Sequence, residues 1–265
     1  LHPVAHSFPT RRSSDLTYTA TITLLDDGET IESKKIEFVR KHYPWEHNTV
    51  GIGDDPIPPF AAIVTRINDK TGRPDLRFWN RLYQIGPGGW INRIVTANPA
   101  LRQYNIDLLR GPVRLEVRRE GQAGAAGDSS VKVVEAGKAE VSLQGRQAFG
   151  PLLARVDAKA EFDGYYNVAL TLAPRADGEP AKVDAVDLVI PLANADTLYV
   201  HRGGDSRAGG WYGGIPEGEG VVWDSTELPP YTRGKDWKSF VPAMFVGNGS
   251  RGLWWYAWSD KGWKM

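Results

Sequence analysis

The chain contains no cysteine, which excludes a disulfide framework, thiolate metal ligation and cysteine catalysis together. It also lacks an excess of charge: 32 Lys and Arg stand against 32 Asp and Glu, for a formal net charge of zero at pH 7. That balance excludes the basic footprint of a nucleic-acid binder and a basic membrane-facing surface. No run approaches the roughly 18 consecutive apolar residues of a membrane-spanning helix, and no signal-peptide pattern stands at the start. What the chain does have is 29 glycines, 18 prolines and 10 tryptophans among 265 residues. Many backbone breaks with many large aromatics point to short strands, frequent turns and apolar or sugar-like contact surfaces.

The opening run Ser7-Phe8-Pro9-Thr10-Arg11-Arg12-Ser13-Ser14-Asp15-Leu16 has neither an apolar period nor turn chemistry. It resembles a translated sequencing adaptor, so residues 1–16 are read as a non-native or disordered tail. Residues 17–265 are expected to be a β-sandwich region. The dense aromatic stretch Gly252-Leu253-Trp254-Trp255-Tyr256-Ala257-Trp258 stands close to the final Met265, which reads as a truncation at the C-terminus of that region.

Strand signals dominate from Thr17 onward. Tyr18, Ala20, Ile22 and Leu24 alternate with Thr17, Thr19, Thr21 and Thr23, the period of a half-buried strand. Asp26-Asp27-Gly28 supplies a hairpin turn, and 31–39 the return strand. The prolines at 44, 56, 58 and 59 exclude a helix or central strand over 43–59, which reads as an extended loop pinned by Trp45. Further strands are expected at 61–67, 76–84, 113–118, 131–134, 139–143, 152–162, 166–173, 181–192, 197–201, 220–224 and 240–246. Turns rich in Gly, Asp and Pro separate them. The small polar run 121–130 reads as a flexible loop and an internal seam. One helix-like pattern, Asn98 to Arg110, has Pro99 at its first position, although Tyr104, Ile106 and Leu108 alternate as a strand would. The resulting fold class is all-β: a large antiparallel β-sandwich, or two packed sandwich subdomains, with little helix.

The chemical motifs mostly dissolve on inspection. Gly247-Asn248-Gly249-Ser250-Arg251-Gly252 has G-x-G-x-x-G spacing, but a β-type run follows where a dinucleotide site needs a helix, so Asn248-Gly249 reads as a hairpin turn. His42 and His47 flank Pro44 and cannot share a helical face, which leaves them as loop histidines. Asp26-Asp27 and Asp54-Asp55 sit beside Gly or Pro and are explained as turn formers. Ser129-Ser130-Val131-Lys132 and Lys70-Thr71-Gly72 occur in the wrong order and context for a serine acyl-transfer site. No metal site, cofactor site or catalytic pair is assigned. The aromatic clusters remain. Trp211-Tyr212 lies between Gly209-Gly210 and Gly213-Gly214 with Asp205 and Arg207 close by, a loop offering flat faces and polar groups for stacking on sugar rings. Trp254, Trp255 and Trp258 fall on both faces of one strand and read as buried between sheets or domains.

Several segments resemble one family. They are Tyr43-Pro44-Trp45-Glu46, Asn48-Thr49-Val50-Gly51, Trp79-Asn80-Arg81-Leu82-Tyr83, Leu108-Leu109-Arg110-Gly111-Pro112-Val113-Arg114-Leu115 and Gly218-Glu219-Gly220-Val221-Val222-Trp223-Asp224. Phe240-Val241-Pro242-Ala243-Met244-Phe245-Val246-Gly247-Asn248, Arg251-Gly252-Leu253 and Ser259-Asp260-Lys261-Gly262-Trp263 close the series. Together they resemble the large bacterial glycoside hydrolase family 123-like proteins, in which a β-sandwich region precedes a (β/α)8 catalytic barrel. The resemblance implies catalysis in that barrel by an adjacent Asp-Glu pair, with the acetamido group of the substrate as nucleophile. No Asp-Glu dipeptide occurs in this chain, so no catalytic residue is carried over.

The expected function is therefore a non-catalytic N-terminal β-sandwich fragment of a bacterial glycosidase, whose partner is the missing C-terminal barrel of the same polypeptide. The expected location is periplasmic or extracellular. A free-standing carbohydrate-binding module, with Trp211, Tyr212, Asp205 and Arg207 contacting a glycan, and a cell-surface adhesion sandwich are the alternatives.

Overall fold

The computed structural model describes residues 16–43, 45–49, 53–175, 180, 182–193, 199–203, 211–215, 218–221, 243–259 and 261; of residues 199–203 and 211–212 it describes the backbone. The chain divides into two compact units, Leu1–Gly53 and Asp54–Met265.

In the first unit, β1 (Leu16–Asp26) and β2 (Glu29–Arg40) form an antiparallel hairpin. Asp27 and Gly28 both take positive φ, 47° and 86°, the backbone of a type I′ turn whose twist matches the flanking strands. The register sets Tyr18 opposite Phe38 and Ala20 opposite Ile36, so these four apolar residues share one face. The threonines of β1 share the other. Tyr18 and Phe38 stack with centroids 5.5 Å apart. Beyond β2, Glu46 accepts from Arg40 Nη2 at 2.7 Å and from the Tyr43 backbone amide at 3.3 Å. The Arg40 guanidinium holds the Glu46 carboxyl below its usual range. Trp45 stacks on Tyr43 at 5.2 Å and stays exposed, so it does not pin this loop by burial.

The second unit begins with a five-stranded meander: β3 (Val64–Ile67), β4 (Pro74–Phe78), β5 (Arg81–Ile85), β6 (Ile91–Asn98) and β7 (Gln103–Asp107). Next come β8 (Arg114–Arg119), β9 (Gln122–Ala123), β10 (Ala126–Ala136), β11 (Glu140–Phe149), β12 (Leu152–Glu161), β13 (Tyr166–Pro174) and β14 (Ala185–Val189). The last are β15 (Tyr199–Gly203), β16 (Trp211–Gly214), β17 (Ala243–Gly247) and β18 (Gly252–Tyr256). β10 to β13 form a second meander, β14-β8-β9 a small sheet, and β16-β15-β17-β18 a fourth. Among the described residues every strand pairing is antiparallel.

The all-β class read from the sequence is the class observed. Among the described residues the only helical turns are short 3-10 segments at Pro87–Gly89 and Pro99–Leu101. The second occupies the start of the expected helix at 98–110. Arg102 then adopts a φ of 53° and ends it, and β7 follows. Residues 121–130, expected as a loop, instead enter β9 and β10.

Strand periodicity builds the core. On β12, Leu152, Ala154, Val156, Ala158 and Ala160 are buried at every second position, facing the same side as Val141, Leu143 and Phe149 of β11. These pack with Leu76, Phe78, Tyr83, Ile85 and Ile94 of the first meander and Leu115 and Val117 of β8 in one continuous cluster. Burial of this apolar surface supplies the main stabilisation, at roughly 1.5–3 kcal/mol for each large side chain. The two meanders thus close on each other as the layers of a sandwich.

Candidate functional site

Two of the sequence-predicted contact residues, Trp211 and Tyr212, fall in the fourth sheet. Trp211 and Tyr212 lie on β16, an edge strand, with Trp211 opposite Arg202 and Tyr212 opposite His201 on β15. Their backbone is a strand, where the glycine-flanked sequence suggested a loop. Asp205 and Arg207 lie outside the described residues.

The opposite edge of this sheet is β18. Asn248-Gly249-Ser250-Arg251 turns β17 into it: Asn248 Oδ1 accepts from the Ser250 and Arg251 amides at 2.8 and 3.1 Å, and the Asn248 amide donates to the Arg251 carbonyl at 2.8 Å. The G-x-G-x-x-G spacing is therefore a hairpin. A Cβ at Gly252 would collide with the Phe245 ring, and one at Gly247 would collide first with the Arg251 carbonyl and Gly252 Cα and then with that ring, so the glycines make room for the paired backbone and an aromatic. Arg251 Nη1 donates to Gln103 Oε1 on β7 at 2.8 Å, and Leu253 packs against the main core, which ties this sheet to the first meander.

On β18 the sequence reading placed the tryptophans in a buried seam. The structure separates them. Trp254 and Tyr256 are exposed at alternate positions and Trp258, just beyond the strand, is 72% exposed, while Trp255 is half-buried. Phe245 lies beside Trp254 at 6.2 Å, and Tyr256 meets Trp258 edge to face at 5.4 Å. This gives an aromatic surface with inclined rings, suited to contacts with apolar ring faces.

A second aromatic group caps the junction of the two meanders. Trp79 lies in the β4–β5 turn, 44% exposed, edge to face with Phe60, which in turn meets Phe162. Asn80 takes a φ of 59° in this turn, a conformation asparagine tolerates better than most residues. Arg81 Nη1 then donates to the Asp163 carbonyl, and Tyr83 Oη to the Gly164 carbonyl at 2.7 Å, so β5 of one meander fastens the β12–β13 turn of the other. Nothing in the local sequence pattern pairs positions some 80 residues apart. Burial pushes the Tyr83 phenol above its usual range, with the Asp163 charge adding and the Arg81 charge opposing.

Asp55 of the adjacent pair Asp54-Asp55, and the separate carboxylates Asp107 and Glu140, have structural employment. Asp55 receives Lys138 Nζ at 2.8 Å, and that ion pair raises the lysine. Asp107 forms a bidentate pair with Arg93, one arm at 2.9 Å, which lowers the carboxyl and raises the guanidinium. Glu140 takes Lys159 Nζ at 2.8 Å.

Against known families, residues 77–228 match the one described as Glycoside hydrolase 123, third domain. The match covers more than half of the chain. The chain belongs to the glycoside hydrolase 123 family. Comparison with curated proteins and with solved structures gives no match. The match starts within β4 and takes in β5 to β7 of the first meander, all of the second meander, and β8, β9, β14, β15 and β16. The glycoside hydrolase 123 domain therefore includes the Trp79 turn and the Trp211-Tyr212 strand, while β17 and β18 lie past its end.

Proposed function

We propose that this chain is a non-catalytic β-sandwich region of a bacterial glycoside hydrolase, which supports carbohydrate hydrolysis by a catalytic barrel elsewhere in the parent polypeptide. The family match to a third domain over an all-β segment is the observation that carries this reading. Two further observations support it. The chain has no Asp-Glu dipeptide, the pair expected to act with a substrate acetamido group. The described carboxylates discussed above are engaged in surface ion pairs, and glycosidase chemistry needs two carboxyl groups poised across the bond to be cut, or one with a substrate-derived helper. On this reading the parent acts in the periplasm or outside the cell.

The test is hydrolysis of chromogenic aryl 2-acetamido-2-deoxyglycosides by the 265-residue chain and by the longer parent. The expected result is turnover by the parent alone. Turnover by the 265-residue chain would overturn the non-catalytic assignment, and an inactive parent would overturn the glycosidase assignment.

The exposed rings of Trp254, Tyr256 and Trp258 favour a second reading, in which the same region also holds glycan through its fourth sheet. Trp211, Tyr212, Asp205 and Arg207 belong to this reading as the sequence-derived contact set.

A further inference from the structure

The hairpin of β1 and β2 has an architecture that two strands cannot complete. Its register gathers Tyr18, Ala20, Ile22, Leu24, Ile36 and Phe38 on one face, with Lys34 opposite Ile22 and Glu32 opposite Leu24 at the turn end of it. The other face carries Thr17, Thr19, Thr21 and Thr23 opposite Val39, Glu37, Lys35 and Ser33. A face that is mainly apolar away from the turn, backed by a mainly polar one, is the pattern of an antiparallel strand pair in the outer layer of a sandwich, whose apolar face lies on a second sheet. Yet Ile22 is 60% and Phe38 48% exposed, and Leu24 and Ile36 are exposed as well. A lone two-stranded hairpin is marginally stable in water, because it has no third strand or facing layer on which to bury such a face.

Two observations say what covers it. The hairpin belongs to a compact unit of its own, which ends at Gly53, and the Pro56–Pro59 segment follows at the start of the next unit; proline-rich stretches of this kind mark domain boundaries. The segment matched from residue 77 onward is, by its description, the third domain of its family, so the family order places other domains before it. We propose that the β1–β2 hairpin is the closing hairpin of a preceding all-β domain of the parent polypeptide, and that a sheet of that domain covers the Ile22, Leu24, Ile36 and Phe38 face. The inference rests on the family assignment and not on the glycosidase activity, so a parent that cleaves no sugar leaves it standing.

Hydrogen exchange followed by mass spectrometry tests it, on the 265-residue chain and on the parent with its natural upstream sequence. In the 265-residue chain, peptides within 16–40 should exchange on the order of 100-fold faster than peptides of β11 and β12, and in the parent they should slow to within about tenfold of them. A paired substitution, Ile22→Lys with Phe38→Lys, should leave the melting temperature of the 265-residue chain unchanged. In the parent it should abolish the protection of 16–40 and lower the first melting transition. Fast exchange of 16–40 in the parent overturns the proposal, as does a parent with no β-rich domain before the hairpin. Protection already present in the 265-residue chain also overturns it. If that protection grows with concentration, the occupant is a second copy of the chain.

Discussion

The phenol of Tyr166 on β13 donates to the carbonyl oxygen of Gly89 at 2.7 Å, so a side chain of one meander satisfies the backbone of a turn belonging to the other. Tyr166→Phe removes the donor and leaves that carbonyl without it. The expected loss is about 1–2 kcal/mol of unfolding free energy, read from the urea midpoint with an unchanged slope. An unchanged midpoint would show that the bond adds nothing.

The same turn lies against Gly145 of β11, where a Cβ would overlap the Gly88 carbonyl. Gly145→Ala should therefore destabilise by about 1–3 kcal/mol or more through overpacking. At Gly150, whose Cβ would meet nothing within 4 Å, the obstacle is a φ of 55° alone. Gly150→Ala should then cost only about 1–2 kcal/mol. Thermal denaturation of the two variants ranks them, and the reverse order would contradict the steric account.

Burial holds the Tyr83 and Tyr166 phenols above the ordinary value of 10.0. A group whose pKa rises on folding stabilises the fold fully below its unfolded value, and that contribution disappears as pH climbs through the folded value. Stability should thus be insensitive to these two tyrosines at neutral pH and fall above about pH 10. Spectrophotometric titration should show two tyrosines ionising late, together with unfolding; in Tyr83→Phe/Tyr166→Phe the late phase should vanish. A late phase that persists in the double variant would be incompatible with this assignment.

The Arg93–Asp107 pair lowers the carboxyl, so its contribution is present above the unfolded carboxylate value and is lost as pH falls through the folded one. Both side chains are more than 40% exposed, and solvent screening keeps such pairs small. Asp107→Asn should cost no more than about 1 kcal/mol, and less in high salt. A larger, salt-independent loss in chemical denaturation would refute that.

For glycan contact, Trp254→Ala and Trp258→Ala remove exposed rings and should change stability by less than about 0.5 kcal/mol. Affinity electrophoresis in gels containing soluble polysaccharide separates the two surfaces. Retardation lost with Trp254 or Trp258 assigns binding to β18, and retardation lost with Trp211→Ala assigns it to β16. A wild-type chain that is not retarded in any gel removes the binding reading.

The central strands were legible because their period is enforced by burial. The expected strand 152–162 is β12 at Leu152–Glu161, where alternate residues enter the core. The first half of β10, through Ser130, reads as a loop because this is an edge strand exposed on most positions, and small polar residues serve there as well as apolar ones; its continuation at 131–134 reads as a strand. One strand was expected over 76–84, but Asn80 turns the chain between β4 and β5; an asparagine able to take positive φ was the available signal. The contacts of Arg81 with Asp163 and of Tyr166 with Gly89 left no trace in any local period, since each joins sheets through residues remote in sequence. The candidate site was legible only as composition. Aromatics beside glycines suggested Trp211 and Tyr212, whereas the exposure of Trp254 and Tyr256 follows from strand pairing, which composition does not encode.

The Gly88–Gly145 contact also fixes how the two layers can slide. Strand positions repeat every two residues, a step of about 7 Å. Displacing β11 by one such step beneath the Pro87–Gly89 turn would bring Leu143 or Gln147 to the place now held by Gly145. Neither side chain fits under a backbone carbonyl already touching the strand. Hydrogen bonding sets the alignment of strands within each sheet; here a single missing side chain sets the alignment of one sheet against the other, as a notch indexes two plates.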